Sequence, residues 1–384
     1  MALMSFHKAL EARLAVLGAS LDKGEWVDVP ALQNADSVEF VTVLARQAEA
    51  IALATPPLRG AVDPDPSYVS FCRRVAESEL PDDESRARRW LMSRFKPCRI
   101  TTAAPGGMGF LTGYYQPEVP GTLTPLNKAS TPLRARPVDL VTLPIGTSLE
   151  GVAPQLAAAR RNADGTLSPY PTRREIESRP PATGEALVYV ADRAEAFLIQ
   201  VQGSARVVLP DGRRLRMTYA GRNGHAYTSI GRILIESGAL AERDMSLAAL
   251  KAWLRQAGLN DGEPGAELLE RNESFVFFAI DDRLPDNAGP VGGAGLPLVP
   301  LLSIAIDRTL FPYGLPFVIE ANLPWRSSQS EPFAKLMLAQ DTGSAIVGPA
   351  RADIFFGTGA AAGVLAGNIR HPARFSVLLP KDLA

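Results

Sequence analysis

The C-terminal part of the chain limits the fold most. From residue 301 onward it is a series of short apolar runs, at 301–306, 315–319, 335–339, 352–356 and 375–379, separated by glycine, proline and polar residues. Runs of that length suit strands and are too short for most helices. Strands joined by tight turns, with one helix at 360–366, predict a small β-barrel. A doubly wound parallel sheet would need a helix after nearly every strand.

The same region carries the candidate chemistry. Between Ala339 and Gly359 stand two acids, Asp341 and Asp353, among small, apolar and glycine residues, with Arg351 as the other ionisable group. Ile354, Phe355 and Phe356 follow Asp353, which places that acid on or beside a buried strand. Burial and a neighbouring acid both oppose ionisation, so a carboxyl group there can hold its proton near neutral pH. General acid catalysis requires such a group. Asp307, in the string AIDR (305–308), is a third acid against an apolar strand. For any one of them the plainer reading is a carboxylate that accepts backbone N–H groups in a turn or pairs with Arg308 or Arg351. Three in one stretch favour a shared site. The string DTGS (341–344) matches the aspartic-peptidase motif. Those enzymes need two aspartates sharing a proton, and the chain has one copy, so a peptidase would have to be a homodimer.

At 384 residues, with 46% hydrophobic and 21% charged, the chain has room for two globular domains. A formal net charge of -1 gives no general pull towards nucleic acid or anionic lipid. Cys72 and Cys98 can pair or stay free, and neither stands in a metal-ligand spacing. No apolar run approaches the roughly 20 residues of a membrane span. Charges break up the N-terminal apolar stretch, so the expectation is a chain that is not exported or that begins after a removed export segment. Helical periodicity marks 38–53, 68–78 and 85–95, separated by proline-rich breaks, as a helical layer. Residues 120–181 predict strands and long loops. Further strands are predicted at 187–190, 196–202, 206–209, 215–219 and 275–280, and helices at 229–237 and 246–256. The glycine-rich stretch 289–295 lacks both phosphate-loop patterns and reads as a plain loop.

Two strings offer ligand chemistry. Read as a strand, QVQGS (200–204) puts Gln200 and Gln202 on one face beside Gly203 and Ser204, where amides and a hydroxyl can meet a polyhydroxylated ligand. A solvated strand face is the alternative. YAGRNGHAY (219–227) adds Tyr219 and Asn223 in a glycine-permitted loop, and tyrosine rings with amides suit carbohydrate. His225 has no partner at a useful spacing and reads as structural.

These strings occur together, and in this order, in one family. The chain resembles the lytic murein transglycosylases of the membrane-bound lytic transglycosylase A type. The resemblance rests on LTGYYQPE (111–118), YPTR (170–173), FLIQVQGS (197–204), YAGRNGH (219–225), SIGR (229–232), NESFVFF (272–278), AIDR (305–308), AQDTG (339–343) and DIFFGTG (353–359). It implies a mainly β fold with an N-terminal helical layer. A double-psi β-barrel domain would come from 1–118 and 275–384, a substrate-binding β-barrel-like domain would be inserted at 119–274, and glycan would lie in a groove between them. It also implies cleavage of the β-1,4 bond between N-acetylmuramic acid and N-acetylglucosamine in peptidoglycan, leaving a 1,6-anhydro end. The enzyme would be a periplasmic or outer-membrane-associated monomer without metal, cofactor, nucleic acid or transmembrane segment. The family's three aspartates match Asp307, Asp341 and Asp353, with the catalytic acid on Asp353. Thr112, Tyr114, Tyr115, Gln200, Gln202, Gly203, Ser204, Tyr219 and Asn223 become the candidate glycan contacts. Ser344, Gln116 and Ala205 depart from the family's usual glycine, glutamate and glycine and leave the acid untouched. A peptidase using Asp341, or a peptidoglycan-binding protein without chemistry, are the alternatives.

Overall fold

The structure, a computed structural model, describes residues 6–26, 36–147 and 156–383. Sequence readings that touch residues 1–5 and 148–155 lie outside the described residues. The chain divides into two units, one of Met1–Tyr114, Val291–Gly357 and Val364–Ala384, the other of Tyr115–Pro290 with Thr358–Gly363.

In the first unit six strands close on themselves. Around the ring run Arg370–Pro380, Pro316–Leu323, Glu331–Asp341, Ser303–Ile306, Arg351–Thr358 and Gly109–Gln116, and the last pairs back to the first. Closure leaves this ring without an open edge. Arg370–Pro380 is long enough for two partners on one side: residues 370–373 close the barrel, and 375–380 pair with Phe95–Thr101, which carries Ser20–Lys23 on its far edge. Neither of those two outer strands is legible in the sequence, because lysine, proline and arginine hide the alternation. Ser303–Ile306 is buried at every position, as a strand covered on both faces must be. It runs parallel to Glu331–Asp341 and antiparallel to Arg351–Thr358.

The expected helical layer is present as Ser37–Ala52, Pro66–Ala76 and Glu84–Arg94. Two of its starts are local: Asp65 accepts from the Ser67 N–H with Pro66 at the first position, and Asp83 accepts from the Arg86 N–H, both at 2.8 Å. A further helix, Phe6–Ala15, stacks Phe6 on Tyr68 with 5.1 Å between ring centroids. The Tyr68 hydroxyl, buried, donates to the Gly314 carbonyl at 2.8 Å, so its polar end is not stranded. A buried polar chain ties the layer to the barrel. Gln340 donates to Gln47 of Ser37–Ala52 at 3.2 Å and accepts from the Ser303 hydroxyl at 2.7 Å. Cys72 and Cys98 are both free and buried, and burial pushes the Cys72 thiol up to about 12.

The second unit is built on a four-stranded sheet ordered Val276–Ile280, Arg214–Arg222, Ser204–Val208 and Glu118–Pro120. A two-stranded sheet, Thr131–Arg134 with Ala186–Val190, is bridged to it at both ends, by Thr122 opposite Tyr189 and by Ala135 opposite Phe278. The strands thus ring a core that includes Leu133, Val188, Ile199, Val207, Met217 and Phe278. This is a barrel-like unit with other limits than the sequence suggests. Val276–Ile280, placed by sequence in the C-terminal barrel, pairs instead with Arg214–Arg222, and the units change at 290/291 and at 114/115. A three-stranded sheet of Leu140–Thr142, Ala158–Arg161 and Leu167–Pro169 lies within the stretch expected to be strands and loops.

One correction matters for the site. Residues 196–202, predicted as a strand, belong to the helix Arg193–Gln202. Asp192 caps its start by accepting from the Glu195 N–H at 2.8 Å, and Gly203 ends it at φ 80°. The helix is buried on two sides, which erases its sequence period. Ala196 and Ile199 enter the strand core, while Ala194, Phe197 and Leu198 pack with Ile230, Leu254 and Leu269 from neighbouring helices. Residues two apart on a helix point about 200° apart, so Gln200 and Gln202 do not share a face.

Candidate active site

Ala305 is the register point of the acids. It stands opposite Asp353 in one neighbouring strand and opposite Asp341 in the other. Residues level with one another project to the same face of a sheet, so both acids come to one side with a single strand between them, roughly 10 Å apart at Cα. The register with Glu331–Asp341 shifts between Ile304 and Ala305. Without that bulge Ala305 would face Gln340, and Asp341 would turn to the opposite side.

Asp353 is partly exposed. Its Oδ1 accepts from the Thr112 hydroxyl at 2.7 Å, and Thr112 in turn accepts from Arg351 at 2.8 Å. Its Oδ2 accepts no hydrogen bond from a described residue. Desolvation raises its pKa to about 6, against the lowering effects of Arg351 and the Thr112 bond, while Asp341 adds to the rise. The Arg351 guanidinium lies over the half-exposed Phe110 ring, 5.6 Å from its centroid.

The other two acids are committed. Asp341 accepts from the backbone N–H groups of Gly293 and Thr342 through Oδ1 and from the Tyr114 hydroxyl through Oδ2, each at 2.8 Å. Burial, and then the Asp341 charge, raise the Tyr114 pKa well above its usual value, which keeps that hydroxyl a donor. Asp307 is buried and accepts from the Thr309 N–H and hydroxyl at 2.9 and 2.6 Å and from the Gly348 N–H at 2.8 Å. No hydrogen bond joins two of the three carboxyl groups among the described residues, so a single chain does not by itself form the proton-sharing pair of an aspartic peptidase.

Gly293 is the residue that sequence reasoning missed, inside the loop read as plain. A Cβ there would overlap the Tyr313 hydroxyl and lie 3.3 Å from Asp341 Oδ1. Only the distant fold brings its N–H to Asp341, so no local signal marks it. In Gly293→Ala the backbone N–H remains, but relieving the overlap of the new Cβ with the Tyr313 hydroxyl should draw it off Asp341 and lower turnover about tenfold. The check is turnover beside a melting curve that shows the variant still folded.

The candidate glycan contacts are divided between the units. Thr112 and Tyr114 hold the acids directly. A side chain on the glycine between them, Gly113, would run into the backbone of Ala366. In the second unit, Gln202 accepts from the Tyr115 N–H at 3.1 Å. Gly203 is the left-handed helix cap, Ser204 starts a strand opposite Thr218, and Tyr219 stands partly exposed at a bulge. Asn223 requires correction. It is fully buried, donates to the carbonyls of Pro171 and Glu273 at 2.9 and 2.8 Å, and accepts from the Phe275 N–H at 2.9 Å. It clamps three segments and has no amide function left for a ligand. Gln200 is buried as well, 4% exposed, and lies away from Gln202. His225 bonds the Tyr170 carbonyl at 2.6 Å, a structural contact. Among the described residues no cluster of His, Cys, Asp and Glu could hold a metal ion, and no helix is long and apolar enough to cross a membrane.

A closed six-stranded barrel, entered by both chain ends and interrupted by a barrel-like insert, defines the class. Two family models match it: the MltA specific insert domain over residues 110–279 and the 3D domain over residues 302–379. The crystal structure of a membrane-bound lytic murein transglycosylase from Agrobacterium tumefaciens is similar at TM-score 0.82 and 33% identity, over 94% of this chain and 98% of that one. MltA from Escherichia coli with bound chitohexaose is similar at TM-score 0.62 and 27% identity, over 88% and 90%. The membrane-bound lytic murein transglycosylase A of Vibrio cholerae is 39% identical over 212 residues, 53% of this chain and 54% of its own. The chain spans about half the length of the curated relatives it matches. The chain therefore belongs to the membrane-bound lytic murein transglycosylase A family, and its first unit is a double-psi β-barrel.

Proposed function

We propose that the chain is a peptidoglycan lytic transglycosylase that cuts the β-1,4 bond between N-acetylmuramic acid and N-acetylglucosamine and leaves a 1,6-anhydro end. The observation that carries this reading is the contrast among three acids. Asp353 alone keeps an uncommitted oxygen, and its pKa of about 6 leaves it protonated over a useful range. A hydrolase works with two carboxylates, one as acid and the other as base or nucleophile. With Asp341 and Asp307 committed to fixed donors, one working acid remains.

One acid is enough when the nucleophile is the sugar's own C6 hydroxyl. Asp353 gives its proton to the glycosidic oxygen as the bond from C1 of the muramic residue breaks. The carboxylate so formed takes the proton of the C6 hydroxyl as O6 bonds to C1. Asp353 ends protonated again, and no water is consumed. Holding both reacting atoms on one sugar gives an intramolecular advantage. The E. coli relative crystallised with chitohexaose supports a glycan ligand here. Such a substrate places the enzyme in the periplasm, at the cell wall.

Purified sacculi incubated with the protein should release anhydromuropeptides, identified by mass spectrometry. New reducing ends, cut peptide bonds or unchanged sacculi would each reject the reading. Because the acid must be protonated, activity should fall as pH rises through about 6. Arg351 lowers the Asp353 pKa and Asp341 raises it. The fall should therefore move to higher pH in Arg351→Met and to lower pH in Asp341→Asn, read from kcat/KM against pH.

A further inference from the structure

We propose that Arg59 is a positioning residue for the reaction, holding the donors that fix Asp341 beside Asp353. The inference rests on the activity proposed above and adds to it a segment far from the family strings, which begin at residue 111. Residues 56–62 strap together three loops of the first unit. A Cβ on Gly295 would stand 3.5 Å from the Pro56 carbonyl oxygen. The Val62 N–H donates to the Arg308 carbonyl at 2.7 Å, and the Arg308 side chain donates back to the Gly60 carbonyl at 2.5 Å. Arg308 follows Asp307, so the strap ends beside the third acid.

Arg59, at the middle of the strap, reaches every donor of Asp341. Its own N–H donates to the Gly293 carbonyl at 3.0 Å, and its Nη1 donates to the Thr342 carbonyl at 2.5 Å. Gly293 and Thr342 are the two residues whose N–H groups bond Asp341 Oδ1, both at 2.8 Å. Each is thereby gripped at its N–H and at its C=O, which leaves its two soft dihedrals little freedom. Tyr114, the donor to Oδ2, feels the guanidinium as well. Burial and then the Asp341 charge raise the Tyr114 pKa, and Arg59 acts against them.

The placement of Asp341 matters because it acts on Asp353 through space. Desolvation chiefly keeps Asp353 protonated, and the Asp341 charge adds to that effect. A misplacement of about 1 Å in a supporting group can cost about 10²-fold in rate. Arg59 is partly exposed, and the backbone bonds of the strap survive a change of its side chain, so the fold should tolerate one.

The test compares the whole chain with Arg59→Met and Arg59→Lys. Amide hydrogen exchange, which needs no turnover, should run about tenfold faster at Thr342 and Gly293 in Arg59→Met. The N–H groups of Thr309 and Gly348, which bond Asp307, should keep their rates and show the fold intact. On solubilised peptidoglycan strands kcat should fall about tenfold with KM unchanged, and Arg59→Lys should recover part of the loss. In an Asp341→Asn background Arg59→Met should cost less than about twofold more. Unchanged exchange at Thr342, a rise in KM with kcat kept, or a full tenfold loss in that background would overturn the proposal. Faster exchange at Thr342 in a chain that releases no anhydro products would reject only the lytic activity. Anhydro products with kcat unchanged in Arg59→Met would reject only this role.

Discussion

Asp353→Asn is expected to lower anhydro-product formation by about 10²–10⁴-fold, the usual range for a lost general acid or base. No neighbour can replace it. Asp341 and Asp307 each hold three donors, so freeing either would dismantle the loops they fix. Asparagine keeps the shape and can still accept from Thr112, so loss of activity should not come from loss of fold. The same variant makes a second expectation with the opposite sign. A carboxyl whose pKa rises from 3.8 to about 6 on folding holds its proton more tightly in the native state. The contribution of Asp353 to stability is therefore fullest below about pH 4, declines as pH rises to about 6, and stays lower above. The rise corresponds to at most about 3 kcal/mol. Asp353→Asn should thus be more stable than wild type at about pH 8, with the gap closing below about pH 4, in denaturant unfolding at both pH values. Retained turnover would show that another group is the acid. A variant less stable at pH 8 would show that desolvation does not dominate at Asp353.

Local signals explain what the sequence revealed. The barrel strands from Ser303 onward and the helix Ala360–Gly367 follow short apolar runs bounded by glycine and proline, and Asp353 sits on its strand as the neighbouring Ile354 and Phe355 suggest. What stayed hidden depends on distant partners. The bulge that turns Asp341 toward Asp353 is set by pairing with Ser303–Ile306, and nothing in AQDTG announces it. Gly293 reaches Asp341 from 48 residues away. Val276–Ile280 looks like any barrel strand until its partner Arg214–Arg222 is known. Arg193–Gln202 reads as a strand because two cores claim its two sides. Family strings also mix purposes: QVQGS contains a helix cap, a backbone anchor and a buried amide, which residue types alone cannot separate.

Arg173, the end of the string YPTR, tests whether such a string serves ligand or fold. Its side chain is buried, with Nε donating to the Asn272 carbonyl at 2.9 Å and one terminal nitrogen to the Ser274 carbonyl at 2.6 Å. The other nitrogen pairs with Glu177 at 2.8 Å. The guanidinium also lies over the rings of Phe197 and Phe275, 4.7 and 5.3 Å from their centroids. Together with Asn223, which holds Glu273 and Phe275, it fixes the segment that leads into Val276–Ile280. Arg173→Met removes one partner of a buried ion pair and strands two carbonyls, so it should cost about 3–5 kcal/mol in urea unfolding. Arg173→Lys keeps the charge but not the planar fork that meets three acceptors at once, and should recover only part of that loss. A loss below about 1 kcal/mol for Arg173→Met would mean that water or relaxation satisfies these groups. The string would then need a role outside the fold.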